Sequence, residues 1–487
     1  MAETRILDDD IIRLYERGKP RRAENLIATL FWGDTVNVVD KQDGEYVIEL
    51  WRRLWDAEKR HYIWQKRTGG LPSKTRFRDL PLLKVRFLDV GQGDAAIVES
   101  PQGRLVLIDG GEEEHLRRYI NVAYSHILRK NPLHCDALVV THGDADHFAG
   151  LARLIEGFRS PNSPLITADR VFHNGLVKKT DDRISEAFGA TAKVDGATYA
   201  VQLEDNLLEV FDDRMNRPFK SWKQALKKLE ENSGKLTIRR LQYGDDGAFD
   251  FLLPEGIALK VLGPIVEEIQ AKPALRFLRA SEGGRSLSVS HTINGHSIVL
   301  KLTYRNVNFL FGADLNEESE ERLVERARTD HLSLAGEIFK VPHHGSADFS
   351  PRMLEEVRPV VSVVSSGDEC TSKEYIHPRA GLMGALGKYS RASVTKPLVY
   401  VTEMVAFFER LGEIEATQIT PSGGHGDLLG RIHNAYRKKT FGMVHIRTDG
   451  KRVLVATHSG RDDQKESYGF HVDGQGGITF EKETKII

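Results

Sequence analysis

Apolar and polar positions along the 487-residue chain change period several times, and each change marks an element. Residues 1 to about 80 read as a separate module. The spacing of apolar residues predicts an opening helix over roughly Asp8 to Arg22. Thr29 to Val39 then alternates as a strand through a Gly33-Asp34 turn, and 45–51 and 61–64 are further short strands. Several short strands close together predict a small SH3-like β module. From Leu83 the pattern becomes hairpin-rich, with strands over 84–90, 95–100 and 104–108, and then a helix over about 114–130. Residues 136–140 form a short branched apolar run, the mark of a strand covered on both faces. Phe148 begins the next helix, 220–231 is a basic helix, and 259–264 is a strand ending in a turn.

In the second half, a strand over 296–302 pairs with one over 307–311, and a helix of Glu and Arg follows. Strands over 337–341 and from Pro359 then lead to His377, and a helix covers about 380–388. By composition 420–427 is a linker. Residues 442–456 make a hairpin about Asp449-Gly450, and the tail adds one or two strands. The chain thus divides into 1–80, 83–460 and a C-terminal β extension over 461–487. Strands interleaved with helices place it in the α/β (α+β) class.

Composition narrows the class. Apolar residues are 40% and charged residues 29%, which suits a globular chain with ample core. No window approaches the roughly 18 apolar residues of a membrane span, and the acidic start has no apolar signal core. The two cysteines, Cys135 and Cys370, make neither a disulfide framework nor a Cys-x-x-Cys zinc site, which fits a reducing, cytoplasmic location. A net charge of −1 supplies no global attraction to nucleic acid or membrane, so any such attraction must be local. One local candidate is the N-terminal module. Trp32, Trp51, Trp55 and Trp64 lie there beside Arg52, Arg53, Lys59, Arg60, Lys66 and Arg67. Such residues either stack bases and hold phosphates or fill a small core under solvated charges.

The chemistry concentrates in Thr141 to Gly150, where His142, Asp144, Asp146 and His147 fall within six positions. They occupy the turn between a buried strand and a helix, where open α/β folds place their sites. Four lone-pair donors so close together point to divalent metal. Other strand ends carry the same residue types: Asp109, Asp314, His343-His344 and His377. Their recurrence predicts convergence on one edge of a sheet sandwich. His173, also at a strand end, is either a ligand or structural.

The pieces 87–95, 107–111, 141–147, 311–314, 341–346 and 376–378 together resemble the metallo-β-lactamase superfamily. They are most similar to the hydrolase domain of the DNA-uptake channel ComEC and its free-standing relatives. The resemblance implies a four-layer αββα sandwich with two divalent metal ions, zinc or manganese, at the open edge of its sheets. It implies that His142 and Asp144 hold one metal, Asp146 and His147 the other, that Asp314 bridges them and that His377 completes the set. His343 or His344 would be a ligand or a proton donor, and Asp146 could also orient the attacking hydroxide. Asp94 and Asp109 would hydrogen-bond the ligand residues. Ser346 would either meet a phosphate or cap a helix. Asp144 replaces the second histidine of the commoner His-x-His-x-Asp-His motif, and an oxygen ligand widens the choice of metal beyond zinc. The implied activity is hydrolysis of a phosphodiester or nucleic acid by a metal-activated hydroxide. An ester, lactone or thioester hydrolase and a non-catalytic binding protein are the alternatives, and oligomeric state is left open.

Overall fold

Short branched runs without polar alternation form the parallel strands of two sheets, buried along their whole length. Leu105–Ile108, Ala137–Val139 and Val361–Val364 are of this kind. The computed structural model describes residues 3–481 except 57, 161, 181–185, 281–285, 368–376, 395–396, 404–407, 416–431, 439–441 and 459–466. The expected linker over 420–427 and Cys370 lie outside the described residues.

The larger sheet has ten strands. Its parallel half is Leu105–Ile108, Ala137–Val139, Arg170–His173 and Thr237–Arg240. From Leu105–Ile108 it continues antiparallel through Ala96–Glu99, Leu83–Phe87, Met443–Thr448 and Arg452–His458. Ser467–Val472 and Ile478–Phe480 close it, so the C-terminal extension belongs to this sheet. The second sheet has six strands. Ile257–Val261, Leu300–Tyr304 and Val307–Phe311 are antiparallel neighbours, and Ile338–Lys340, Val361–Val364 and Leu398–Val401 extend it in parallel.

The two sheets face each other across one apolar core, where Val85, Phe87 and Ile108 meet Leu302, Phe309 and Phe311. The Phe87 and Phe311 rings are 5.9 Å apart. Burying each such ring contributes about 1.5–3 kcal/mol. Helices His115–Ala123, Ala145–Ile155 and Arg217–Ser233 cover the outside of the larger sheet. Glu317–Thr329, Pro351–Val357 and Ala380–Lys388 cover the outside of the smaller one. The result is a mixed α/β sandwich of four layers: helix, sheet, sheet, helix.

The opening helix expected over 8–22 is not present. Glu3–Leu7 and Ile11–Glu16 are strands instead. Asp9, fully buried, accepts from Arg76 N and Nε at 2.8 and 2.9 Å and turns the chain between them. Ile12 and Leu14 then point into one core and Ile11 into another. Tertiary pairing outweighed the local helical spacing, as it often does for β-branched residues. The module is an antiparallel sheet of seven strands. Its main hairpin is Glu45–Asp56 with His61–Pro72.

Three of the four module tryptophans face the sandwich. Trp32 packs with Leu82 and Leu454 beneath Arg78 and Arg452. The Trp51 carbonyl accepts from Ser125 Oγ at 2.6 Å, and Trp64 packs against the helix-side core. Trp55 is 51% exposed. No helix among the described residues is long and apolar enough to cross a membrane.

Candidate metal centre

The parallel strands of both sheets end at the same edge, and their connecting turns bring the polar residues together. Asp144 sits at the N-cap of Ala145–Ile155, where an aspartate ordinarily accepts a backbone N–H, yet its side chain makes no cap hydrogen bond. The carboxylate turns aside instead, with Oδ2 3.9 Å from His142 Nε2 and Oδ1 3.7 Å from Lys178 Nζ. The Gly91-Gln-Gly-Asp turn lies directly against this motif. Gly93 has φ +102°, and a Cβ there would collide with the Asp146 carbonyl.

Asp314, at the end of Val307–Phe311, is the focus. Its Oδ2 lies 3.2 Å from His344 Nε2, 3.4 Å from His147 Nε2 and 3.9 Å from His142 Nε2. His344 Nε2 is also 3.7 Å from Asp146 Oδ2. The far sides of these rings are held. His147 Nδ1 is 2.9 Å from Asp109 Oδ2, and Asp109 accepts from Thr141 N at 2.8 Å and Thr141 Oγ1 at 2.6 Å. His344 Nδ1 is 3.1 Å from the Ser365 carbonyl, which can only accept. Nδ1 of each ring therefore carries a proton, and Nε2 is the atom turned toward Asp314. Asp94 Oδ1 is 3.4 Å from His344 Nδ1, and the other Asp94 oxygen pairs with buried Lys340.

The Nε2 atoms of His142, His147 and His344 and Oδ1 of Asp314 are all buried without a hydrogen-bond partner. Buried polar atoms are rarely left so, and these converge on one point. Among the described residues, the groups spaced to hold a cation include His142–His147–Asp314, Asp146–His147–His344 and Asp94–Asp314–His344. The donor set of imidazole and carboxylate suits zinc and harder divalent ions alike.

The electrostatics follow from burial and neighbours. Burial opposes charge on His147, but Asp314, Asp109 and Asp146 outweigh it and hold the imidazole well above its usual range. Burial likewise opposes charge on His344, yet Asp314 and Asp94 raise it to about 10. Burial pushes His142 well down, helped by His147. It also lifts Asp144 to about 6 against the pull of Lys178. Asp94 is held at about 2 despite burial, chiefly by Lys340. The carboxylates that raise His147 and His344 are the same groups that would attract a cation.

His344, not His343, faces this centre. His343 is half-buried, with Nδ1 unpartnered. With its amide oriented to satisfy both neighbours, Asn294 donates to Asp144 Oδ2 (3.0 Å) and pairs with His343 Nε2 (3.3 Å). His377 lies beside His343, their ring centroids 6.2 Å apart; among the described residues, neither His377 nor Asp144 belongs to a group spaced to hold a cation. Ser346 Oγ accepts from Asp348 N at 3.2 Å, and the cap of Pro351–Val357 is Ser350. His173 is structural: Nε2 is 3.1 Å from the Asp205 carbonyl, Nδ1 accepts from Gly175 N, and burial lowers it to about 4. Lys340, Lys178, Asn294 and Thr141 are site residues that sequence reasoning did not single out.

Among curated proteins there is no match. Of solved structures, the chain is similar to the beta-hydroxylase CmlA in a mutant form, with 12% identity and a TM-score of 0.30. It is also similar to a long form RNase Z from yeast, with 7% identity and a TM-score of 0.25. The likenesses cover 67% and 66% of this chain but only 53% and 37% of those proteins. The family model described as the metallo-beta-lactamase superfamily matches residues 88–367, more than half of the 487. That span contains Asp94, Asp109, the His142–His147 motif, Asp314 and His344, and the chain belongs to the metallo-beta-lactamase superfamily, generally metal-dependent hydrolases that use divalent ions, often zinc.

Proposed function

We propose that the chain is a metal-dependent phosphodiesterase that cleaves nucleic acid. The observation that carries the reading is the convergence of three unpartnered imidazole nitrogens on Asp314. His142 and Asp144 would hold one ion, Asp146 and His147 a second, with Asp314 between them. His344 rather than His377 would complete the set. When bound, a divalent cation supplies Lewis acidity toward a phosphoryl oxygen and eases deprotonation of a water molecule. Asp109 orients His147, and the Ser365 carbonyl orients His344 with the Asp94 charge nearby. Lys178, partly exposed at the rim, is placed to bind a substrate phosphate. His343, half-buried beside the centre, is placed to hand a proton to the leaving oxygen. The ComEC-like motif pieces favour nucleic acid as the substrate, and Asp144 favours manganese as an alternative to zinc.

The test combines metal analysis with hydrolysis assays of the full chain on single- and double-stranded DNA, RNA, a chromogenic phosphodiester and a panel of esters, lactones and thioesters. Phosphodiester cleavage that needs zinc or manganese and is lost in Asp146→Asn is the expected result. Cleavage confined to the carboxylic esters would move the substrate class. Bound metal with no cleavage of any phosphodiester overturns the proposal.

A further inference from the structure

Beneath the N-terminal sheet, the outer face of the ten-stranded sheet is charged rather than apolar. Lys84 and Arg86 alternate with Leu83, Val85 and Phe87, which belong to the inter-sheet core, so they point the other way. Arg447 stands opposite Lys84 in the register of the neighbouring strand, and Glu99 opposite Lys84 on the other side. Arg52 and Asp34 come from the module, and Tyr119 and Tyr124 from the helix side.

The pairing uses up both carboxylates. Glu99 takes Lys84 Nζ and Arg86 Nη1, each at 2.8 Å. Asp34 takes Arg447 Nη2 at 2.9 Å. Arg447 is 2% exposed, and its Nε and Nη1 are buried with no hydrogen-bond partner. Arg52, half-buried, makes no ion pair among the described residues; Asp34 is the carboxylate whose charge acts on it. Among the described residues, Lys84, Arg86, Arg447 and Arg52 thus share two carboxylates, Glu99 and Asp34, and Arg86 also donates to the Tyr124 hydroxyl. Burial lowers the basicity of Arg447, Arg52 and Lys84, whereas Tyr119, Tyr124, Glu99 and Asp34 outweigh burial at Arg86 and hold it well above its ordinary value. Water could accept from Nε and Nη1 of Arg447, but it would leave the excess charge in place. Buried cations are ordinarily paired, and the planar guanidinium fork is matched by an oxyanion.

We propose that this seam is an oxyanion-binding site of the phosphate class, with Arg447 Nε and Nη1 and the Arg52 guanidinium as its donors. The ligand is either inorganic phosphate or the phosphoryl group of a nucleotide, and it joins the module to the sandwich by neutralising both sides. This inference does not depend on the hydrolase reading, because none of these residues belongs to the metal centre.

The full chain is titrated with inorganic phosphate and, separately, with AMP, at constant ionic strength set by sodium chloride. Calorimetry and thermal unfolding follow the titrations. Saturable binding that raises Tm, and that weakens at least tenfold in Arg447→Met and in Arg52→Gln, is the expected result. Tighter binding of phosphate marks a free oxyanion; tighter binding of AMP marks a nucleotide. Asp314→Asn should leave this binding unchanged, which separates the seam from anion uptake at the metal centre. The proposal is overturned by no response beyond that of chloride, by equal affinity in wild type and both arginine variants, or by loss in Asp314→Asn. If Arg447→Met does not fold, half-buried Arg52→Gln decides the matter.

Discussion

Asp109 shows what one residue contributes once its backbone is constrained. It has φ +57°, a left-handed conformation that costs a non-glycine residue on the order of 1–3 kcal/mol and that persists only where the surroundings demand it. Ala313, His343 and His344, also at the metal centre, share that conformation at φ +47°, +48° and +52°. Asp109→Asn should keep the Thr141 hydrogen bonds but weaken the hold on His147. Metal affinity is expected to fall about 10- to 100-fold, measured by competition with a chromophoric chelator. Unchanged affinity would show that Asp109 does not tune the centre.

Glu320 offers a prediction in pH. It is 2% exposed, and burial, with Asp348, Glu317 and Glu321 nearby, holds its carboxyl well above the usual range. A raised carboxyl contributes most below its unfolded pKa of about 4.3, and that contribution is lost as pH rises toward the folded value. Glu320→Gln mimics the protonated form and can still accept from Ser350 N. It should therefore raise Tm at neutral and alkaline pH, with the gain vanishing near pH 4, as read from unfolding curves across pH. At this scale the sequence exposed the dense histidine and aspartate motif. Lys340 and Asn294 stayed hidden, because a lysine or an asparagine acquires a role only from what it is packed beside.

At the scale of elements, the strands carrying the site were legible because each is short, branched and closed by a polar turn. The strand Ile11–Glu16 was not, since its apolar spacing is compatible with a helix until Leu26–Phe31 and His61–Pro72 pair with it. The turn holding Gly93 is a case where an element depends on one position. Gly93→Ala would both strain φ and drive Cβ into the Asp146 backbone. The expected cost is well over about 1 kcal/mol, accompanied by loss of metal binding. Gly18→Ala is the control, since Gly18 has φ +76° but open space beyond it. Its cost should stay near about 1 kcal/mol with metal content unchanged. Equal losses in the two variants, measured by denaturant unfolding and metal analysis, would reject the close-approach argument.

At the scale of the molecule, the N-terminal module is docked rather than tethered. Ile11 and Phe31 pack with Ala456, and Trp32 packs with Leu82 and Leu454. Arg53 Nη1 donates to Asn121 Oδ1 at 2.7 Å, and Arg447 reaches Asp34. Module and sandwich should therefore unfold in one cooperative calorimetric transition, and deletion of residues 1–80 should lower Tm by uncovering Leu82, Leu454 and Ala456. Two separate transitions in the full chain would contradict this. The tryptophans were readable in the sequence as a cluster. Whether they met solvent, a ligand or another part of the chain depended on the docking, which no local pattern encodes.

The sequence by itself determined many of the strands and helices of the sandwich, though not Thr237–Arg240 or Leu398–Val401, the polar residues at strand ends and the superfamily resemblance that the family match bears out. Those features follow from periodicity and turn chemistry, which act over a few residues. Only the tertiary structure decided that His344 rather than His343 faces Asp314, that the Asp144 side chain forgoes its cap hydrogen bond, and that His173 serves the fold. It also brought Lys84, Arg86, Arg447 and Arg52 into one seam. These are outcomes of side-chain direction and long-range packing, set by how two sheets and a module close on one another across hundreds of residues.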